Sequence, residues 1–139
     1  MAVDTHVRWG WLKFMYIYTI VLAGGFGLGI LLVPDVIKSV FGWPFEEPIS
    51  IGIVGSVYLA FGILSIFGLR SPLKFAPILL LQLCYKAITL IGVILPMLLS
   101  GRLPNYVIYT AIIFATYIVG DLIAIPFPSI FTKPLEKTS

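Results

Sequence analysis

At 139 residues, 60% hydrophobic and only 11% charged, the chain is far more apolar than a water-soluble domain, in which charged residues run near ~25%. A mean hydropathy of +1.08 makes lipid the main solvent and points to a single all-α membrane domain spanning 1–139. The net charge of +3 is too small, and too tied to the ends of apolar runs, to suggest nucleic acid as a partner. Cys84 is the one cysteine, so an intrachain disulfide or a cysteine-based metal site is excluded.

Residues 1–13 are polar and basic, with Trp9 and Trp11 suited to the headgroup level and His6 expected in water. The uncharged run 14–33 is longer than a signal-peptide core and closes on no small-x-small pattern, so it reads as an uncleaved first span. Gly25 and Gly29 form a G-x-x-x-G pair, with Gly24 and Gly27 beside them. Small residues four apart let helix backbones approach closely in lipid. The longest connection, 34–48, carries Val36, Ile37, Val40 and Phe41 at helical spacing. It predicts a short interfacial helix ended by Gly42 and Pro44 and anchored by Trp43. Glu46 and Glu47 make the connection acidic.

The second span, 49–69, stops at Arg70, Ser71 and Pro72. Gly52, Ser56 and Ala60 give it a small-residue stripe, and Tyr58 projects near its middle. The third span, 75–99, tolerates Pro77 in its first turn, whereas Pro96 should bend or end its last. The fourth, 106–127, ends at Pro126 and Pro128 and carries a third stripe, Thr116, Gly120 and Ala124. Four spans put both termini on one side. Arg8, Lys13, Arg70, Lys74, Lys133 and Lys137 lie on that side and only Lys38 and Arg102 on the other, so both termini are expected in the cytoplasm.

Lys86 and Asp121 are the two charges inside apolar runs. A cation near the bilayer centre costs about 2.5–3.5 kcal/mol on insertion scales, so it normally faces the bundle interior and finds a partner. At 1.5 Å per residue, Gln82 lies ~10 Å and Lys86 ~16 Å above the start of the third span, and Asp121 ~9 Å above the end of the fourth. Gln82 is then level with Asp121. Lys86 stands one turn deeper on the same face, leaning toward its own N-terminus. An ion pair between Lys86 and Asp121, with Gln82 taking a remaining hydrogen bond, is the expected geometry. Tyr58, Tyr85, Thr89 and Thr19 could extend it. Such a cluster serves either as an ion path, proton relay or ligand counter-ion, or as glue between helices.

No metalloprotease, serine-hydrolase or nucleotide-binding motif is present, no metal site is expected, and no cofactor can be assigned. Leu32-Val33-Pro34, Phe41-Gly42, Gly55-Ser56-Val57-Tyr58-Leu59-Ala60-Phe61-Gly62 and Leu69-Arg70-Ser71-Pro72 resemble the small four-span bacterial membrane proteins of the DoxX-like kind. The resemblance covers the first half by pattern and the rest by topology. It implies a four-helix transmembrane bundle in a bacterial inner membrane. Tyr85-Lys86 and Gly120-Asp121-Leu122-Ile123-Ala124-Ile125-Pro126 fall outside it. The expected function is a non-catalytic membrane component in contact with lipids, either an accessory subunit of a larger complex or a homo-oligomer holding a lipophilic ligand. The alternatives are a proton-coupled or small-solute transporter using Lys86 and Asp121, and a membrane enzyme acting on a lipid or quinone through Lys86, Tyr58 or Asp121.

Overall fold

The computed structural model describes residues 7–44, 47–101 and 104–131, and among these there are helices and turns but no strand. Four helices are long and apolar enough to cross a membrane: α1 (Trp9–Leu32), α3 (Pro48–Arg70), α4 (Ala76–Leu99) and α5 (Asn105–Ala124). Two short helices, α2 (Pro34–Phe41) and α6 (Phe127–Phe131), are the others among the described residues. His6, Glu46, Arg102, Lys133 and Lys137, which enter the sequence reading, lie outside the described residues.

Helix ends follow local chemistry. The short helix expected in the first connection forms as α2. Pro34 starts it, and Gly42 stops it with a φ of 69°, in the left-handed region glycine reaches without strain. Helix α1 begins at Trp9 rather than at residue 14, because Lys13 can ride in the first turns with its head exposed. At the far end, α5 stops at Ala124 and not at 127. Ile125 is extended (φ −68°, ψ 125°), as expected for the residue before Pro126. Pro96 does not end α4, which runs on to Leu99. A π turn, Leu90–Ile94, lies immediately before it and accommodates the missing N–H.

Helix α1 packs between α3 and α5, and α4 lies mainly against α5 with a thinner contact to α3. The α1–α3 seam is made by glycine, in a different register from the expected Gly25/Gly29 pair. A Cβ on Gly62 would fall 2.6 Å from the Gly24 Cα, and one on Gly27 would fall 2.5 Å from the Gly55 carbonyl oxygen. Gly25 faces open space, and Gly29 faces Ile37 of α2. The π turn Ile20–Gly24 inserts one residue into the helical count, and one residue rotates the following face by about 100°. On α3, Gly52 meets nothing and Ser56 and Ala60 are exposed, so that stripe lies outside the bundle. On α5, Gly120 accommodates the Met15 thioether and Ala124 is buried, whereas Thr116 is exposed and hydrogen-bonds Tyr18 at 2.7 Å. Near the chain's termini, Leu12, Met15, Tyr16, Leu79, Tyr117 and Ala124 form a core. The Tyr16 hydroxyl donates to the Pro72 carbonyl at 2.6 Å, and Gly68 leaves room for its ring.

Candidate functional site

Gln82 and Lys86 sit four apart on α4, so one helical face carries both into the bundle. Thr19 from α1 and Asp121 from α5 meet them there. All four are buried, with Lys86 1% exposed and the other three 0%. The Gln82 side-chain amide donates to Asp121 Oδ2 at 3.2 Å and to Thr19 Oγ1 at 3.3 Å. The Thr19 hydroxyl in turn donates to the Met15 carbonyl at 2.8 Å. Asp121 Oδ1 has no hydrogen-bond partner among the described residues. A buried acceptor left unsatisfied is costly, and such groups recur where a proton or ligand is handled.

The expected direct Lys86–Asp121 ion pair is not formed. The Lys86 ammonium donates instead to the Tyr85 hydroxyl at 2.5 Å. It lies 4.2 Å from the ring centre of Tyr117, 4.4 Å from Tyr85, 4.8 Å from Phe114 and 5.7 Å from Tyr58. Two physical reasons account for this. Gln82, level with Asp121, already occupies the carboxylate oxygen nearest α4. One turn deeper, the ring faces offer the cation a negative quadrupole worth about 2 kcal/mol or more when desolvated. The two opposite charges act on each other through space without touching.

The ring cage is itself braced. Tyr85 packs on Phe61 at 5.4 Å and edge-on to Phe114 at 6.1 Å, and Tyr58 leans on Phe26 at 5.8 Å. Flat, rigid rings cannot fill the remaining space. A cavity of about 110 Å³ opens beside Lys86, walled by Phe26, Phe41, Trp43, Tyr58 and Phe114. A second cleft of about 390 Å³ shares Trp43, Tyr58, Thr110 and Phe114 with it and continues along Val57, Val93 and Met97. Both π turns border this space: Leu22 and Ala23 line the cavity, Val93 and Ile94 the cleft. π turns of this kind are frequent at functional sites.

Of the residues anticipated from the sequence, Lys86 and Tyr58 line the cavity, and Tyr58, Tyr85 and Thr89 line the cleft. Gln82 and Asp121 lie behind Lys86, outside both linings. Thr89 spends its hydroxyl on the Tyr85 carbonyl at 2.9 Å. Phe114 and Tyr117 were not anticipated, although a signal exists. Phe114, Tyr117 and Asp121 follow one another at spacings of three and four, which puts them on one face of α5. Among the described residues, no group of three or more His, Cys, Asp or Glu side chains converges on a point. A scan against protein-family models and comparisons with curated proteins and solved structures gave no match.

Proposed function

We propose that this chain is a small, non-catalytic integral membrane protein that holds a lipophilic molecule within its helix bundle, with the molecule's polar end at Lys86. The observation that carries the reading is a buried ammonium with spare donors beside an apolar, ring-walled cavity. Lysine has three N–H donors, and one is bonded to Tyr85. A mostly apolar pocket with a single polar group that fixes orientation is the usual form of a small-molecule site.

Membrane residence is supported by the outward faces of the long helices, on which large apolar side chains predominate. Ile88 and Ile91 are each 69% exposed and Leu99 80%, a surface that only lipid or another apolar surface would cover. We place both termini in the cytoplasm on the asymmetry of lysine and arginine, and take the membrane to be a bacterial inner membrane on the DoxX-like resemblance. The outward stripe Gly52, Ser56 and Ala60 suits a second copy or a partner helix.

Native mass spectrometry of the protein released gently from its own membrane tests the reading. A defined small mass on wild type, lost in Lys86→Met, is the expected result. A bare chain, or a chain bound only to a larger protein, would contradict it. The unpartnered Asp121 Oδ1 favours a second reading, a proton-coupled carrier of small solutes. It requires Asp121→Asn to abolish flux in liposomes while leaving the fold intact, and unchanged flux would remove it.

A further inference from the structure

Lys86 and Asp121 are both buried, oppositely charged and out of contact, and the cavity reaches only the lysine. This arrangement limits what the occupant can be. A neutral lipophile would leave the Lys86 donors aimed at rings and the Asp121 Oδ1 atom orphaned. An acid meets the first need with its carboxylate, and its proton can remove the buried charge of the second. Its carboxylate would accept hydrogen bonds from the Lys86 ammonium, the stronger, charge-assisted kind. The bundle would then hold two anions for one cation, and a surplus charge in a water-poor core is avoided by neutralising a group. The group placed to take a proton is Asp121, whose Oδ1 is buried and has no partner while Gln82 holds Oδ2.

Among the described residues, the charged and titratable groups around Asp121 leave it as the only carboxyl there. Lys86 and Tyr85 face it from α4, Tyr16 from α1, and Tyr117 from its own helix. Tyr58 of α3 stands on the lysine side. Arg8 approaches the end of α5 but is exposed and bonds the Ile123 carbonyl at 3.4 Å. The tail is indicated by the second cleft, where Ile53, Val54, Val57, Val93, Ile94 and Met97 give an aliphatic stretch beside Tyr85, Thr89 and Tyr106.

We infer that the occupant is an alkyl carboxylic acid drawn from the membrane, its carboxylate on Lys86 and its chain in the aliphatic cleft, with its proton transferred to Asp121. The O–H bond of the neutral acid breaks and an O–H bond forms on Asp121, so charge balances and no other reactant is needed. The inference rests on the ligand-binding reading above and adds to it the ligand class and the proton.

The test uses the full chain in lipid nanodiscs, with Trp9 and Trp11 changed to phenylalanine so that Trp43, which borders both spaces, reports alone. The probes are ω-bromododecanoic acid and ω-bromododecanol, whose bromine quenches a nearby indole. The expected result is saturable quenching by the acid, with affinity falling about 10- to 100-fold in Lys86→Met while the alcohol is little affected. Equal saturable quenching by alcohol and acid, unchanged in Lys86→Met, would overturn the acid but leave a lipophile site. No saturable quenching by either probe would overturn the ligand-binding reading itself.

Should Lys86→Met fail to fold, infrared difference spectra of the wild type with carboxyl-labelled acid decide the matter. They should show the bound acid as a carboxylate, together with a new protonated-carboxyl band that is absent in Asp121→Asn. A bound acid that keeps its proton, or a protonated band that survives Asp121→Asn, would overturn the proposal.

Discussion

Toward α1, helix α3 meets its neighbour backbone to backbone, through Gly55 and Gly62 against Gly27 and Gly24. Toward α4 it meets rings, with Tyr58 and Phe61 against Tyr85, which packs in turn on Phe114 of α5, and Lys86 is held among them. The first contact leaves no room for a methyl group. The second leaves a cavity and a cleft. Glycine gives up side-chain volume so that two helices can close completely. A cation that needs several ring faces at once holds helices apart, because stiff planar groups cannot fold into the space between them. One flank is closed backbone to backbone, and the other is left open.

The largest effect should come from the open flank. Lys86→Met leaves Asp121 without a compensating charge and is expected to cost roughly 3–5 kcal/mol. Adding Asp121→Leu should recover much of that loss. Equilibrium unfolding of the two single variants and the double variant in bicelles measures it, and additive losses would show that the two charges are independent. The closed flank comes next. Gly27→Ala drives a methyl into the Gly55 carbonyl and the Leu59 amide, each 2.5 Å away, and should cost roughly 1–3 kcal/mol. Gly52→Ala, which meets nothing within 4 Å, should be neutral or better. Similar losses at both positions would dissolve the contrast between the flanks.

Phe114→Leu removes one of the four rings around the ammonium and should cost about 0.5–2 kcal/mol, while enlarging the cavity and raising the affinity for a bulky occupant. The smallest effect belongs to Glu47, which caps α3 by accepting from the Ile49 and Ser50 amides at 2.9 and 2.7 Å. Bonds from Ser50 and from the Ile49 amide hold its carboxyl below the ordinary value of 4.5. A carboxyl lowered by folding stabilises above its unfolded value and loses that contribution as pH falls through the lowered one. Glu47→Gln should therefore weaken the first turn of α3 at neutral pH, and hydrogen exchange at Ile49 and Ser50 should lose its acid dependence below pH 4.5.

The four long helices were legible from run length and hydropathy alone, because lipid requires the whole backbone of a span to be paired internally. The level of Gln82 with Asp121 was legible too, since rise per residue fixes depth, and the two are hydrogen-bonded at 3.2 Å. Rotation about each helix axis was not. The π turn Ile20–Gly24 moves the close contact from Gly25 and Gly29 to Gly24 and Gly27, and no residue in that stretch announces it. The partner of Lys86 was misjudged for a related reason. Opposite charge suggested Asp121, but Phe114 and Tyr117 present their rings to the ammonium from the face that also carries the aspartate.

The central claim is that the Lys86 ammonium sits among rings, beside an open cavity, and not on Asp121. Solid-state NMR of the protein in lipid, with labelled Lys86 Nζ, Asp121 Cγ and tyrosine rings, measures those separations directly. Strong dipolar coupling of Nζ to the Tyr85 and Tyr117 rings, and no contact-range coupling to Asp121, is the result expected. A dominant Lys86–Asp121 contact with weak ring coupling would show a closed ion pair in place of the ring-caged ammonium.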